Sequence, residues 1–210
     1  MKEKILSLLS KVKREGMDKL IGYLESSDFF DAPASTKFHL CVPGGLAKHS
    51  YNVYECLKKK AAEPFWKETL KDVSEETIIL VSILHDLCKT NFYKQDWKNQ
   101  KTYDPQKVAA APRNQVKQDN AGSFIWETVP TYVIEDKIPY GHGEKSVMMI
   151  EHYIKLLPAE KYAIRWHMGY SEPKENWAAL NLAFDMYPLA LALHEADQEA
   201  THILEKDVNL

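Results

Sequence analysis

No apolar run in this chain approaches the ~20 residues that a bilayer-spanning helix needs, so the sequence predicts no membrane segment. Cysteine is scarce. Cys41, Cys56 and Cys88 form no CxxC pair and no disulfide framework, which fits a reducing, cytoplasmic setting. Neither sign of charge dominates. Lys and Arg total 27 against 30 Asp and Glu, a net charge of -3, which argues against a dedicated duplex-binding surface. A local basic pocket for one phosphate stays open. No internal repeat or low-complexity segment appears, and Lys2, Lys4, Lys11 and Lys13 break the first amphipathic stretch where a signal peptide would be apolar.

What remains is a chain of 210 residues, 45% hydrophobic and 27% charged, enough for one globular domain with a sizeable core. Residues 1–45 read as N-terminal helices and a loop. Ile5, Leu8, Leu9 and Val12 make one apolar stripe, Leu20, Ile21 and Leu24 continue it beyond a break near Gly16, and Pro33, Pro43, Gly44 and Gly45 mark the loop. Helix resumes near Leu46, and residues 46–206 read as a helical core. Ser74 is a plausible N-cap, with Glu75 and Glu76 in the first turn. The helix that follows, Ile78 to Asp86, is apolar on every side and so is expected to be buried. Later helices are expected over 143–157, 158–166, 177–186 and 188–205. Residues 90–140 are irregular, polar and aromatic, although Thr131–Ile134 favours strand and allows a small hairpin. An insert this long is often a lid or binding loop, and a decorated surface loop is the alternative. The expected architecture is all-α, a helical bundle with that insert.

Several polar residues stand where apolar ones belong. His49 lies at i−4 and i−8 to the apolar positions Val53 and Leu57. His85 and Asp86 end the buried helix. Asp197 interrupts the stripe Ala190, Leu193, Ala200, Leu204. Burying such groups is costly unless they are paired or bound to metal. Two imidazoles and two carboxylates suit Fe, Mn, Zn, Ni or Co, with Mg as a further option. Ordinary pairing within a helical core satisfies the same residues.

Gly44-Gly45-Leu46-Ala47-Lys48-His49-Ser50, Leu84-His85-Asp86-Leu87-Cys88-Lys89 and Leu193-His194-Glu195-Ala196-Asp197, in that order, resemble the HD-domain metal-dependent phosphohydrolases. The likeness covers about residues 40–205, and in style it is nearest to the HD domain of bacterial 3′→5′ exoribonucleases. Those carry an oligonucleotide-binding barrel where this chain has short helices, so a small nucleotide is favoured over a polynucleotide. The resemblance implies that His49, His85, Asp86 and Asp197 hold a first ion. It also implies that His142 and His167 hold a second, with Asp86 bridging. Cys88 departs from the glycine common in the family and is not a family ligand position.

The function that follows is hydrolysis of a nucleotide or nucleic-acid-end phosphoester through a metal-activated water. Asp86 and Lys89 are the catalytic candidates, Lys89 neutralising charge on the phosphate. The null role for Lys89 is a cation at a helix end. Lys145, Arg165 and Arg113 are further substrate-binding candidates. A surface cap is the bland role for His142 and His167. His194 is read as a satisfied core histidine or a residue behind Asp197, His152 and His202 as surface residues, and His39 is unassigned. The same ligands also resemble those of HD-type di-iron oxygenases, and a non-catalytic nucleotide-binding module is a third reading. Oligomeric state is not legible.

Overall fold

The computed structural model describes residues 1–37 and 40–206; His39 lies outside them. The described chain falls into two compact units, residues 1–93 with the segment from 136 onward, and Lys94–Glu135.

The first unit is helical. It contains α1 (Lys2–Leu9), α2 (Met17–Ser26), α3 (Gly45–Ala62), α4 (Pro64–Thr69) and α5 (Glu75–Leu84). After the second unit come α7 (His142–Glu151), α8 (Pro158–Trp166), α9 (Trp177–Met186) and α10 (Pro188–Glu199). The break between α1 and α2 spans residues 10–16 and so begins earlier than the sequence suggests, but it ends at Gly16, the N-cap of α2. Ser74 caps α5 by accepting from the Thr77 amide at 3.2 Å. Ile79, Leu80, Val81, Ile83 and Leu84 are all 0% exposed, so α5 is buried on every side. It packs against α3, α8 and α1, while α10 crosses α3 and α8. The C-terminal ends of α5, α8 and α10 and the N-terminal part of α3 thereby come together.

Glycine has a specific task at the start of α3. Gly44 sits at φ 73°, and a Cβ on Gly45 would lie 2.1 Å from the Leu40 carbonyl oxygen. Behind α5, Glu160 is fully buried. It accepts two bonds from Arg14, at 2.5 and 2.6 Å, one from the Thr77 hydroxyl at 2.7 Å and one from the Leu157 amide at 2.8 Å. One carboxylate thus ties the start of α5 to the start of α8.

The second unit corrects the all-α expectation. The chain is mixed α/β, dominated by helix, because β1 (Tyr93–Thr102), β2 (Lys117–Asp119) and β3 (Gly122–Ile134) form a three-stranded sheet in the order β1-β3-β2. α6 (Pro105–Ala110) follows β1, capped by Asp104. β2 and β3 pair antiparallel, Lys117 opposite Phe124 and Asp119 opposite Gly122. β1 carries no apolar alternation, since eight successive residues within it are exposed. A strand solvated on both faces leaves no period-two signal. Pro130 also counts against a strand, but β2 covers only three residues. Among the described residues β2 pairs only with Gly122–Phe124 of β3, so one edge of β3 is without a sheet partner beyond Phe124. Phe124 anchors the unit against Tyr103 and Trp126.

Replacing Glu160 by Gln removes the charge that Arg14 pairs with and mismatches a donor to the Thr77 hydroxyl and Leu157 amide. Thermal unfolding followed by circular dichroism is expected to show a loss of about 3 kcal/mol, a fall of roughly 6–12 °C.

Candidate metal centre

Two histidines end two helices in the same way. His85 follows the last residue of α5, and its Nδ1–H donates to the Ser82 carbonyl at 2.8 Å. His167 follows α8, and its Nδ1–H donates to the Ile164 carbonyl at 2.6 Å. Carbonyls in a last helical turn lack intrahelical partners, so each bond satisfies an orphan acceptor and fixes the ring's tautomer. Each ring then presents the Nε2 lone pair inward. His167 Nε2 is buried and has no hydrogen-bond partner among the described residues.

His49 reaches the same place from α3. Its Nε2 lies 3.1 Å from Asp197 Oδ1, 3.3 Å from His85 Nε2 and 3.7 Å from Asp86 Oδ2. His142, the first residue of α7, places Nε2 2.8 Å from Asp86 Oδ1. Gly143 makes that approach possible, because a Cβ there would lie 2.2 Å from the Arg165 carbonyl oxygen at the end of α8. The His142 and His167 rings stand 5.3 Å apart, centroid to centroid.

Asp86 is the hub, and its two oxygens face different partners. Oδ1 meets His142 and His167, at 2.8 and 3.5 Å. Oδ2 meets Lys89 at 2.6 Å, His85 at 3.5 Å and His49 at 3.7 Å. The ligand candidates of the sequence therefore form one cluster, four histidines around the Asp86 carboxylate and Asp197 joined to it through His49. Donor atoms of His49, His85 and Asp197 lie within 4.8 Å of one another, as do those of His85, Asp86 and His167, and of Asp86, Cys88 and His142. Such a set fits divalent transition metals: imidazole nitrogens aimed at carboxylates, with the far nitrogens of His49, His85 and His167 already held.

The electrostatics follow from burial and contact. Burial alone would raise the Asp86 pKa, but the Lys89 ammonium and the surrounding rings hold it well below the usual carboxylate range. Asp197, also buried, is lowered through its contact with His49. Burial pushes His85 down to about 3, so this ring is neutral. Burial also opposes charge on His49, yet Asp197 and Glu205 outweigh it and raise the ring to about 10. Without metal, a proton on His49 Nε2 therefore faces Asp197 and the His85 lone pair.

One site residue escapes the sequence reading. Glu205 is 1% exposed, and both its oxygens lie 3.2 Å from His49 Nδ1, with Asn52 Nδ2 donating at 2.8 Å. Leu204, placed on the core stripe by a regular helical period, is 51% exposed. The cause is a π turn over Ala200–Leu204, closed by the Glu205 amide on the Ala200 carbonyl at 3.1 Å. Eight residues of α-helix would leave Glu205 about 80° away from Asp197; one inserted residue brings it to about 20°. Cys88, which the sequence places beside Asp86 as a departure from the family glycine, is 2% exposed, with Sγ 3.2 Å from His142 Nδ1. Burial, with Asp86 beside it, pushes this thiol up to about 12.

The proposed substrate cations are placed differently. Lys89 is at the hub. Lys145 is buried, with its ammonium on Asp136 and over the Phe92 ring. Arg165 is held by Glu144 and Glu172 and stacks on Trp166. Arg113 is exposed in the second unit. His194 donates from Nδ1 to the His167 carbonyl at 2.7 Å, a satisfied histidine behind a ligand candidate, and His152 and His202 are exposed. A cavity of about 680 Å³ bounded by Tyr140, Glu144, Met148, Tyr162 and Arg165 has none of the six ligand candidates in its wall. No helix among the described residues is long and apolar enough to cross a membrane.

Mn, Co or Zn at about 100-fold above its dissociation constant is expected to stabilise the chelator-stripped protein by about 2.7 kcal/mol. That is roughly 5–10 °C in melting temperature. Asp86→Ala is expected to abolish the shift, and Glu205→Gln to weaken metal affinity about 10–100-fold; differential scanning fluorimetry with a metal titration reads both. No family model, curated protein or solved structure matches this chain, so the assignment of a metal centre rests on the chemistry and placement of these side chains.

Proposed function

We propose that the chain is a metal-dependent phosphohydrolase of HD type, acting on a small phosphoester such as a nucleotide, with a short nucleic-acid end as an alternative substrate. The observation that supports this most is the sorting of the Asp86 oxygens, Oδ1 toward His142 and His167, Oδ2 toward His49 and His85. A carboxylate so placed suits two ions side by side, His49, His85 and Asp197 holding one and His142 and His167 the other. The ordered likeness of the three motifs to HD phosphohydrolases supports the same assignment. A divalent pair bound there supplies a water of lowered pKa and a clamp on phosphoryl oxygens.

The chain's own residues do the rest. Asp86, held ionised, orients both halves of the site. His49, His85 and His167 are at most 1% exposed, which keeps that side of the site dry and strengthens its fields. The site's least buried side chains are those of His142, Lys89 and Asp197, 30, 14 and 11% exposed. A phosphoester enters on the side of His142 and Lys89. The Lys89 ammonium, on Asp86 at rest, there meets the negative charge that develops on the phosphoryl oxygens. A cytoplasmic setting suits the three free thiols.

A panel of nucleoside monophosphates, cyclic nucleotides, pyrophosphates and short oligonucleotides, assayed with Mn, Co, Ni and Mg, is expected to yield phosphoester turnover. His85→Ala and Asp86→Ala are expected to abolish it with the helical circular dichroism retained. Lys89→Ala is expected to lower kcat about 10²–10³-fold with metal content unchanged. Inertness toward the whole panel, combined with oxygen consumption by the iron-loaded protein, would replace this function with that of a di-iron oxygenase.

A further inference from the structure

His194 stands outside the six-residue ligand set, yet it bonds to the backbone of one ligand candidate and shares a helix with another. It lies in α10, three residues before Asp197. Its ring reaches the end of α8. The acceptor there is a carbonyl, so Nδ1 carries the proton and donates to the His167 oxygen at 2.7 Å. Carbonyls at a helix end lack intrahelical partners, so the bond satisfies one of them. Two further contacts hold the ring. Phe184 of α9 stacks on it, with centroids 5.9 Å apart and planes at 26°. Gly169 lies against it: a Cβ there would be 2.5 Å from His194 Nε2 and 2.6 Å from Nδ1. Gly169 also sits at φ 55°, a conformation glycine adopts without steric cost. The chain leaving His167 thus turns directly onto the His194 ring, and only a residue without a side chain fits there.

We infer that His194 is a positioning residue that ties the His167 backbone to α10 and so sets the separation of the two ion positions, an inference that rests on the metal centre proposed above. The Ile164 carbonyl fixes the orientation of the His167 ring from within α8, but it does not fix where the end of α8 stands. His194 does. One helix then carries Asp197, a donor candidate for the first ion, and, one turn earlier, the clamp on His167, a donor candidate for the second. Asp197 Oδ1 is 3.1 Å from His49 Nε2, which anchors that helix on the first position. His167 Nε2 is 3.5 Å from Asp86 Oδ1, and a shift of the His167 backbone changes this approach directly. His49 and His85 come from α3 and the end of α5, so the same shift leaves the first position intact. Loss of the clamp therefore acts on the second ion alone.

The test is a titration of the chelator-stripped full chain with Mn²⁺, read by bound metal per chain and by electron paramagnetic resonance, in which two neighbouring ions couple and a lone ion does not. The unsubstituted chain is expected to take up two ions and to show the coupled spectrum. His194→Ala is expected to keep the first ion at unchanged affinity and to bind the second about 10–100-fold more weakly, the coupled spectrum giving way to that of a lone ion. His194→Asn, which keeps an N–H donor near the place of Nδ1, is expected to recover the second ion and the coupling. If His194→Ala does not fold, Gly169→Ala, which pushes on the His194 ring, is expected to show the same selective loss and decides the point. Unchanged affinity for both ions, equal weakening of both, or an Asn variant no better than Ala overturns the role of His194 and leaves the metal centre standing. An unsubstituted chain that takes up fewer than two ions removes the two-ion centre itself.

Discussion

A carboxylate that is 2% exposed cannot stay ionised at neutral pH unless its surroundings replace the water it has lost, and Asp86 is ionised. Lys89 supplies one full charge at 2.6 Å, and imidazole nitrogens border both oxygens. Much of the helical unit serves that arrangement. α5 is apolar on every side because it must carry Asp86 into the interior. α3 and α8 cover it, α10 crosses both of them, and these helices bring His49, His167 and Asp197 with them. Removing Asp86 would leave a buried ammonium and several inward-facing imidazoles without their common partner, so the constraint runs in both directions.

Helix ends provide much of the precision. A donor histidine needs its far nitrogen held, or the ring turns and the tautomer is free. His85 and His167 solve this locally, since the carbonyl three residues earlier in the last turn needs a donor anyway. His49 sits within α3, where no free carbonyl is at hand. It needs an outside acceptor, and Glu205 fills that role. The π turn follows from that need. It lets one helix present Asp197 to Nε2 and Glu205 to Nδ1 of the same ring.

Legibility in the sequence divides along the same line. α5, its Ser74 cap and the Gly16 end of the break between α1 and α2 were readable, because each depends on local composition. The six residues could be singled out because polar residues interrupted apolar stripes at His49, Asp86 and Asp197, and because their order resembles that of the HD motifs; no family model matches the chain. Glu205 was hidden, since a helical period of 3.6 puts Leu204 inward and an inserted residue reverses that. The sheet was hidden because β1 is solvated on both faces and β3 contains Pro130. The roles given to Lys145 and Arg165 rested on chain proximity to His142 and His167. Proximity along the chain says nothing about which carboxylate a long cation reaches first, and here Asp136, Glu144 and Glu172 do.

Charge gives the last constraint on what the proposed centre would accept. Alone, the cluster sets the carboxylates of Asp86 and Asp197, with Glu205 behind His49, against Lys89 and one protonated ring. That leaves little to attract an anion. With two divalent ions in place the balance would reverse, because each would bring two charges and the His49 ring would give up its proton. The surplus would then be positive, at a site whose least buried side chains are those of His142, Lys89 and Asp197. A neutral substrate gains nothing from that field, whereas a phosphate gains from both ions and from the ammonium. Selection for an anionic group would therefore come from the loaded metal centre itself, with no need for the arginine or the buried lysine already committed elsewhere in the fold.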